Sequence, residues 1–403
     1  MNTITIRKEV VDQLNGIGHA DIVIGIPSFN NERTIGHVVR AVHAGLAKYF
    51  PDRKAVLVNS DGGSRDRTME IVRSTRIEDR ASIMLHHRID PVQTIATPYE
   101  GIPGKGSAFR TIFEIARALG ATACAVVDSD LRSITPEWIE LLIKPVLSGE
   151  ADFVAPLYHR HKYDGTITNS IVYPLTRALY GKQVRQPIGG DFGFSGKLAA
   201  FYLDQDVWET DVARFGIDIW MTTTAMANNF KVGQSFLGAK IHDAKDPGSD
   251  LSSMLYQVVG ATFGLMENYA PVWKTISGSD PVTSYGFQYT VGLEPVQVNT
   301  ERMLGIFREG CVGLRTIWRQ ILGGGDLDEV LAISNSSKDA FHFPSVLWSR
   351  VVYDYALAHH QRRLPREHLI KSLTPLYLAR TASFVNEVRD LDQDGSEQII
   401  EAL

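Results

Sequence analysis

The stretch Ala125-Val126-Val127-Asp128-Ser129-Asp130-Leu131 opens in apolar residues and ends in two carboxylates spaced i, i+2. Its apolar run begins near Thr122 and reads as a buried strand. At the C-terminal end of such a strand, where the chain turns, both acids can converge on one ligand. Two hard anionic oxygen groups there suit Mg²⁺ or Mn²⁺ carrying a diphosphate, the chemistry of a nucleotide-sugar site. The competing reading makes Asp128 and Asp130 caps of the next helix, although Thr135 followed by Pro136 already supplies a helix start.

Upstream, the pattern alternates between strand and helix. Asp21 to Pro27 is a second apolar run, ending in Ser28-Phe29-Asn30-Asn31-Glu32 and followed by a helical face of Ile35, Val38, Val39, Val42 and Leu46. Ala55 to Asn59 is a strand, Ser60-Asp61-Gly62-Gly63-Ser64-Arg65-Asp66 a turn, and Met69, Ile71 and Val72 mark a helix. Ser82 to His86 reads as a short strand. Ile89 to Gly104, with Pro91, Pro98 and Pro103, reads as a loop leading into Gly104-Lys105-Gly106 and a helix from Ser107 to Leu119. This order predicts an α/β fold: a Rossmann-like, mostly parallel sheet flanked by helices, with ligands at the C-terminal strand edges. At those edges Glu32 suits a ribose or base, or else is a helix N-terminal acid. Asp61 has the same double reading, since Asp-Gly-Gly-Ser is also ordinary turn chemistry. Lys105, between two glycines at a helix start, suggests a phosphate cradle built with free backbone N–H groups. A Walker-type Gly-Lys-Ser/Thr sequence is missing there, which argues against a P-loop enzyme.

Taken in order, Ser28 to Glu32, Ser60 to Asp66, Pro103-Gly104-Lys105-Gly106 and Asp128-Ser129-Asp130-Leu131 resemble GT-A glycosyltransferases. The Pro-Gly-Lys-Gly and Asp-Ser-Asp-Leu pair is most similar to the retaining glucosyl-3-phosphoglycerate synthase and glucosylglycerate synthase group, and the resemblance runs over residues 20 to 245. It implies a GT-A sheet with Pro27, Ser28, Glu32 and Asp61 on the nucleoside, and Gly104 and Lys105 on the diphosphate. Asp128 would lie at the ribose or beside the metal, and Asp130 would bind the metal directly together with His242. Asp191, in Gly189-Gly190-Asp191-Phe192-Gly193, would take donor-sugar hydroxyls. Asp218, opening a helix, would face the transferred sugar or the acceptor, and has a plain structural explanation as an N-terminal helical acid. Lys245 would add charge near the diphosphate.

The acceptor side follows the strand Asp152 to Leu157. Tyr158-His159-Arg160-His161-Lys162-Tyr163 is a cationic cluster that suits a carboxylate or phosphate, or is a solvated charged loop. Tyr158, Arg160, Lys162, Thr168 and Asn169 form the expected acceptor set. Relatives acting on 3-phosphoglycerate carry a Gly-Gly-Arg-Val-Thr-like segment where this chain reads Gly165-Thr166-Ile167-Thr168-Asn169. Losing that guanidinium favours unphosphorylated glycerate, unless Arg160, Lys162, Arg177 or Arg185 compensates.

Composition bounds the remainder. The chain has 403 residues, 44% of them hydrophobic, enough for a large domain over residues 1–248 and a mainly α-helical C-terminal region over 249–403 with a lid, acceptor or dimerisation role. Trp318, Trp348, Tyr353 and Tyr355 there read as core or interface aromatics, while Gly278 to Gln297 reads as a loop. A net charge of -5 argues against nucleic acid or an anionic membrane as partner. Cys124 and Cys311 build no disulfide framework, and Cys124 reads as a core residue. The polar N-terminus and the lack of a long apolar run predict a cytoplasmic protein with no transmembrane segment, and a homodimer is expected. The expected activity is retaining transfer of a hexose, glucose by resemblance, from a nucleoside diphosphate sugar to D-glycerate or 3-phosphoglycerate. The rivals are an inverting family-2-like transferase acting on a glycan or lipid, a sugar-phosphate nucleotidyltransferase, and a non-catalytic sugar-nucleotide-binding protein.

Overall fold

The computed structural model describes residues 6–75, 92–241, 247–289, 292–293 and 296–403. The chain separates into two compact units. One comprises Met1–His159, Val184–Lys245 and Asp280–Val291; the other comprises Arg160–Gln183, Asp246–Ser279 and Gly292–Leu403. Against the boundary expected at residue 248, residues 160–183 fall in the second unit and residues 280–291 in the first.

The first unit is built on an eight-stranded sheet. Its strands are β1 (Ile22–Ser28), β2 (Ala55–Asp61), β3 (Gln93–Pro98), β4 (Ala123–Val126), β5 (Phe153–His159), β6 (Phe192–Ser195), β7 (Val232–Ala239) and β8 (Thr283–Tyr285). They lie in the order β8-β7-β5-β6-β4-β1-β2-β3. β6 runs antiparallel to β4 and β5, and the other pairings are parallel. β1, β2 and β4 are buried along their whole length, which is why each reads as a continuous apolar run and not as an alternation. Helices cover the sheet. Ile35–Tyr49 buries the expected face of Ile35, Val38, Val39, Val42 and Leu46, and Pro136–Leu147 starts at the expected proline. Cys124 is fully buried in β4.

Two loop expectations are corrected. Gln93–Pro98, inside the predicted loop Ile89 to Gly104, pairs with β2 as an edge strand; its proline occupies the last position, where a missing N–H costs least. Thr283–Tyr285, inside the predicted loop Gly278 to Gln297, adds the opposite edge. The strand expected over Ser82 to His86 lies outside the described residues.

Register sets the functional edge. Ser28 pairs with Asp61, Gly25 with Val126, and His159 with Ala239, so each parallel strand ends at the same rim. Because β6 is antiparallel, with Val126 opposite Phe192, its first residues reach that rim as well. Asp128, Asp191 and Lys240 each follow or precede a strand end there.

The second unit is helical, with Pro247–Asn268, Thr300–Gly313, Arg315–Ile321, Asp326–Ile333, Ser345–His360, Arg366–Glu387 and Gln393–Glu401 as its main elements. Trp318, Trp348 and Tyr355 are buried, and both indoles donate to backbone carbonyls, of Ser372 and Ser170. Tyr353, in contrast, is on the exposed face of its helix. Among the described residues, no helix is long and apolar enough to cross a membrane.

The helix Lys105–Ala118 packs closely on the segment around Val212. A Cβ at Gly104 would come 2.5 Å from the Ala213 carbonyl oxygen, and one at Gly106 would overlap the backbone of Val212 and Ala213. Gly106→Ala is therefore expected to destabilise the protein by about 1–3 kcal/mol or more in urea denaturation. Gly16→Ala, which meets open space, should not. Equal midpoints for the two variants would contradict this packing.

Candidate functional site

The three loops at the sheet rim interlock through their own polar side chains. Asp61, 2% exposed, accepts from Ser28 Oγ at 2.9 Å, from the N–H groups of Gly63 and Ser64 at 2.9 and 2.7 Å, and from Ser64 Oγ at 2.6 Å. Its carboxylate thus shapes the Asp-Gly-Gly-Ser turn. Asn30 adopts a left-handed conformation, φ 54°, and its side chain accepts from Arg65 N–H. Asn31 accepts through Oδ1 from Phe29 N–H and from Ser129 Oγ, while Thr34 donates to the Ser129 carbonyl. The first loop is thereby tied to Asp128-Ser129-Asp130. Glu32 is exposed, and its carboxylate accepts from Arg67 N–H at 3.1 Å. Pro27 is buried within β1.

Beside these loops lies a cluster of opposite charges. Lys105 Nζ is 2.8 Å from Asp128 Oδ1 and 3.1 Å from Asp218. Lys240 Nζ is 2.7 Å from Asp128 Oδ2 and 2.8 Å from Asp191 Oδ2, and donates to the Gly189 carbonyl at 2.8 Å. Asp191 is fully buried, accepting also from Asp128 N–H at 2.7 Å and from the Tyr158 hydroxyl. Gly190 has φ 90°, and a Cβ there would stand 2.5 Å from Asp128 Oδ2, so only glycine fits. Three carboxylates face two ammonium groups.

The structure brings Lys105, Asp128, Tyr158, Asp191 and Asp218 into one group. It adds Lys240, which the sequence reading passed over. The only signal was a lysine directly after the apolar residues Phe236-Leu237-Gly238-Ala239 at a strand end. Tyr158, expected on the acceptor, is 5% exposed; besides holding Asp191, it packs its ring against Trp138 and carries Lys240 Nζ over its face at 5.3 Å.

The backbone around Lys105 differs from the expected phosphate cradle. Gly104 N–H donates to the Tyr99 hydroxyl at 2.8 Å and Gly106 N–H to the Arg214 carbonyl at 3.1 Å, so neither is free. The two glycines serve the close packing described above, and the lysine side chain is what reaches the rim.

Other expected residues are placed elsewhere. Asp130 is half-buried at the turn after β4. His242 and Lys245 lie outside the described residues, but Ile241 does not: its N–H donates to Ser133 Oγ and its carbonyl accepts from Arg132 N–H. Arg160, Lys162, Thr168 and Asn169 belong to the second unit. There Arg160 pairs with Asp164 at 3.2 Å, and Lys162 donates to the carbonyls of Val388, Arg389 and Leu391, closing the end of the helix Arg366–Glu387. Thr168 opens a π-helical turn, Thr168–Val172, and Asn169 donates to the Asp164 carbonyl.

Burial and charge set the protonation of the cluster. Burial works against an ionised Asp128, but Lys105 and Lys240 outweigh it and hold its carboxyl well below the usual range. Burial likewise opposes charge on Lys105, yet Asp128 and Asp218 keep it firmly protonated. Asp191 is raised by burial. Asp218 is pushed up to about 6, chiefly by burial and in part offset by Lys105.

Residues 23–206 match the model of glycosyl transferase family 2. The family 2 segment includes Asp61, Lys105, Asp128, Asp130, Tyr158 and Asp191, and stops short of Asp218 and Lys240. No curated protein gives a match. Among solved structures, glucosyl-3-phosphoglycerate synthase from Mycobacterium tuberculosis with Mn²⁺, UDP and glucosyl-3-phosphoglycerate is 21% identical; the alignment covers 63% of this chain and 83% of that one, with a TM-score of 0.45. The same enzyme with Mn²⁺, UDP-glucose and phosphoglyceric acid is 20% identical, over 64% and 84% of the two chains, with a TM-score of 0.46.

The raised Asp218 gives a pH test. Its folded-state value of about 6 lies above the ordinary 3.8, so its contribution to stability is full below about pH 4 and is lost as pH rises through 6. The stability of wild type relative to Asp218→Asn should fall by up to about 3 kcal/mol between pH 4 and 7. A difference that stays flat across that range, in parallel urea titrations, would remove Asp218 from the buried cluster.

Proposed function

We propose that this protein is a retaining glycosyltransferase that moves a hexose, glucose by resemblance, from a nucleoside diphosphate sugar to D-glycerate, forming an α-glycosyl glycerate. The observation that carries this reading is the cluster of Lys105, Lys240, Asp128, Asp191 and Asp218 at the C-terminal rim of a parallel sheet, where α/β folds bind nucleotides. The family 2 segment supports it.

Breaking the donor's C1–O bond gathers negative charge on the diphosphate. Lys105 lies at the rim with 14% of its side chain exposed, and its ammonium would meet that charge. Asp218, 15% exposed, would hold a sugar hydroxyl, Asp191 would position Lys240 and the Asp128 backbone, and the Ser28, Glu32 and Asp61 loops would flank the nucleoside. A divalent ion fits the residues present. Asp128 is committed to two lysines, which leaves Asp130 as the carboxylate for Mg²⁺ or Mn²⁺, with His242 added by the resemblance alone. Mg²⁺ commonly needs only one or two protein ligands beside phosphates and water. When bound, it would neutralise the leaving diphosphate.

Glycerate is favoured over 3-phosphoglycerate because three of the four cations able to replace the missing arginine, Arg160, Lys162 and Arg177, are engaged. Arg160 pairs with Asp164, Lys162 caps a helix end, and Arg177 pairs with Glu401. A phosphate dianion held by any of these three would need that one released.

The test is an NMR product assay with Mg²⁺, UDP-, GDP- and ADP-glucose, and either D-glycerate or 3-phosphoglycerate. An α-glycoside of glycerate is expected, abolished by Asp130→Ala. A glycoside of 3-phosphoglycerate alone would overturn the acceptor assignment. A β-linked product would overturn retention, and pyrophosphate release from a nucleoside triphosphate would overturn the transferase reading.

A further inference from the structure

Lys105 is held at both ends. At the tip, Nζ meets Asp128 and Asp218 and lies 5.3 Å from the centroid of the buried Phe109 ring. At the base, the amides on either side are tied: Gly104 N–H donates to the Tyr99 hydroxyl at 2.8 Å and Gly106 N–H to the Arg214 carbonyl at 3.1 Å. Of these two bonds, only the first depends on a side chain. Tyr99 is therefore the residue through which the sequence sets the Lys105 backbone.

Tyr99 is itself anchored. It follows β3, whose last residue, Pro98, pairs with Asp61, and its own N–H donates to the Asp61 carbonyl at 3.1 Å. This half-buried residue thus runs from the end of β2 to the start of the helix Lys105–Ala118. Its backbone is fixed on the Asp-Gly-Gly-Ser turn and its hydroxyl on the amide before Lys105. The loop between them has a second staple, from Ser107 Oγ to the Ile102 carbonyl at 2.5 Å, which leaves the amides beside Lys105 untouched.

The flanking glycines give the hydroxyl its importance. A Cβ at position 104 or 106 would meet the backbone of Val212, Ala213 or Arg214, so the packing requires glycine at both. Glycine loses more conformational freedom on ordering than any other residue, and a long lysine side chain adds its own rotamer entropy. A backbone fixed in advance lowers the cost of holding the ammonium against a ligand.

We propose that Tyr99 is a positioning residue for the donor diphosphate: its hydrogen bond with Gly104 sets Lys105, and its bond to Asp61 keeps that lysine in register with the nucleoside loop. The proposal rests on the transferase reading above. Tyr99 acts through Lys105 and touches no reacting atom.

The test is a double-mutant cycle on the full chain, read by calorimetry with Mg²⁺ and whichever of UDP, GDP and ADP wild type binds most tightly. Tyr99→Phe removes one oxygen and keeps the ring. It is expected to weaken nucleotide binding by about three- to tenfold. In a Lys105→Met background the same change should alter binding by less than about twofold. Affinity for the corresponding nucleoside, followed by NMR titration, should stay as in wild type. Ser107→Ala, which cuts the other staple of the same loop, should leave nucleotide affinity unchanged. Wild type supplies a readout free of any folding defect: by linkage, bound nucleotide should slow hydrogen exchange at the Gly104 amide. Unchanged affinity in Tyr99→Phe, equal weakening in the two backgrounds, equal weakening by Ser107→Ala, a parallel loss of nucleoside affinity, or Gly104 exchange unmoved by nucleotide would overturn the positioning role and leave the transferase reading intact. Failure of wild type to bind any of the three nucleotides would overturn both.

Discussion

The buried ammonium of Lys240, set between Asp128 at 2.7 Å and Asp191 at 2.8 Å, is the interaction on which the sheet rim depends. Asp191 is fully enclosed and precedes the one antiparallel strand inserted between β4 and β5. A carboxylate there is tolerable only with a partner. Removing one member of such a pair costs roughly 3–5 kcal/mol, because the remaining charge stays buried. Lys240 therefore fixes where β6 enters the rim, and through Asp191 it fixes the Asp128 backbone as well. Lys105, tied to Asp128 on its other oxygen, is the more exposed of the two lysines.

The same constraint explains the division of labour between the two acids of the Asp-Ser-Asp triplet. Asp128 is held ionised by two cations, and Asp130 is half-buried at the turn that follows. Spacing suggested that both could meet one ligand; charge pairing gives them different work. Asp61 is similar, since its carboxylate is spent on four hydrogen bonds that shape its own turn. A donor would meet the surface that Asp61 organises.

Most of the fold was legible because parallel strands buried on both faces leave uninterrupted apolar runs, as in Ile22 to Ile26 and Ala55 to Val58. The edge strands were not: Gln93–Pro98 carries few apolar residues and ends in proline, so it resembles a loop until β2 is seen beside it. Asp128, Asp191, Asp218 and Lys105 could be selected from glycine-rich or strand-end contexts. Lys240 could not, because its place depends on the register of β7 against β5, a contact 80 residues apart in the chain at His159 and Ala239. The glycines around Lys105 were legible as glycines but not in purpose, since the segment they pack against, Val212 to Arg214, is remote in sequence. Lys162 likewise looked like a ligand cation, yet its partners are carbonyls more than 200 residues away.

The account turns on a nucleoside diphosphate docking at Lys105. The most direct measurement is the calorimetric affinity of UDP, GDP and ADP, each with Mg²⁺, for wild type and Lys105→Met. Loss of a charge-assisted contact with the diphosphate predicts binding weaker by about ten- to a hundredfold for the preferred nucleotide, with the fold intact by circular dichroism. Equal affinity in a folded Lys105→Met protein would place the diphosphate elsewhere and contradict the account.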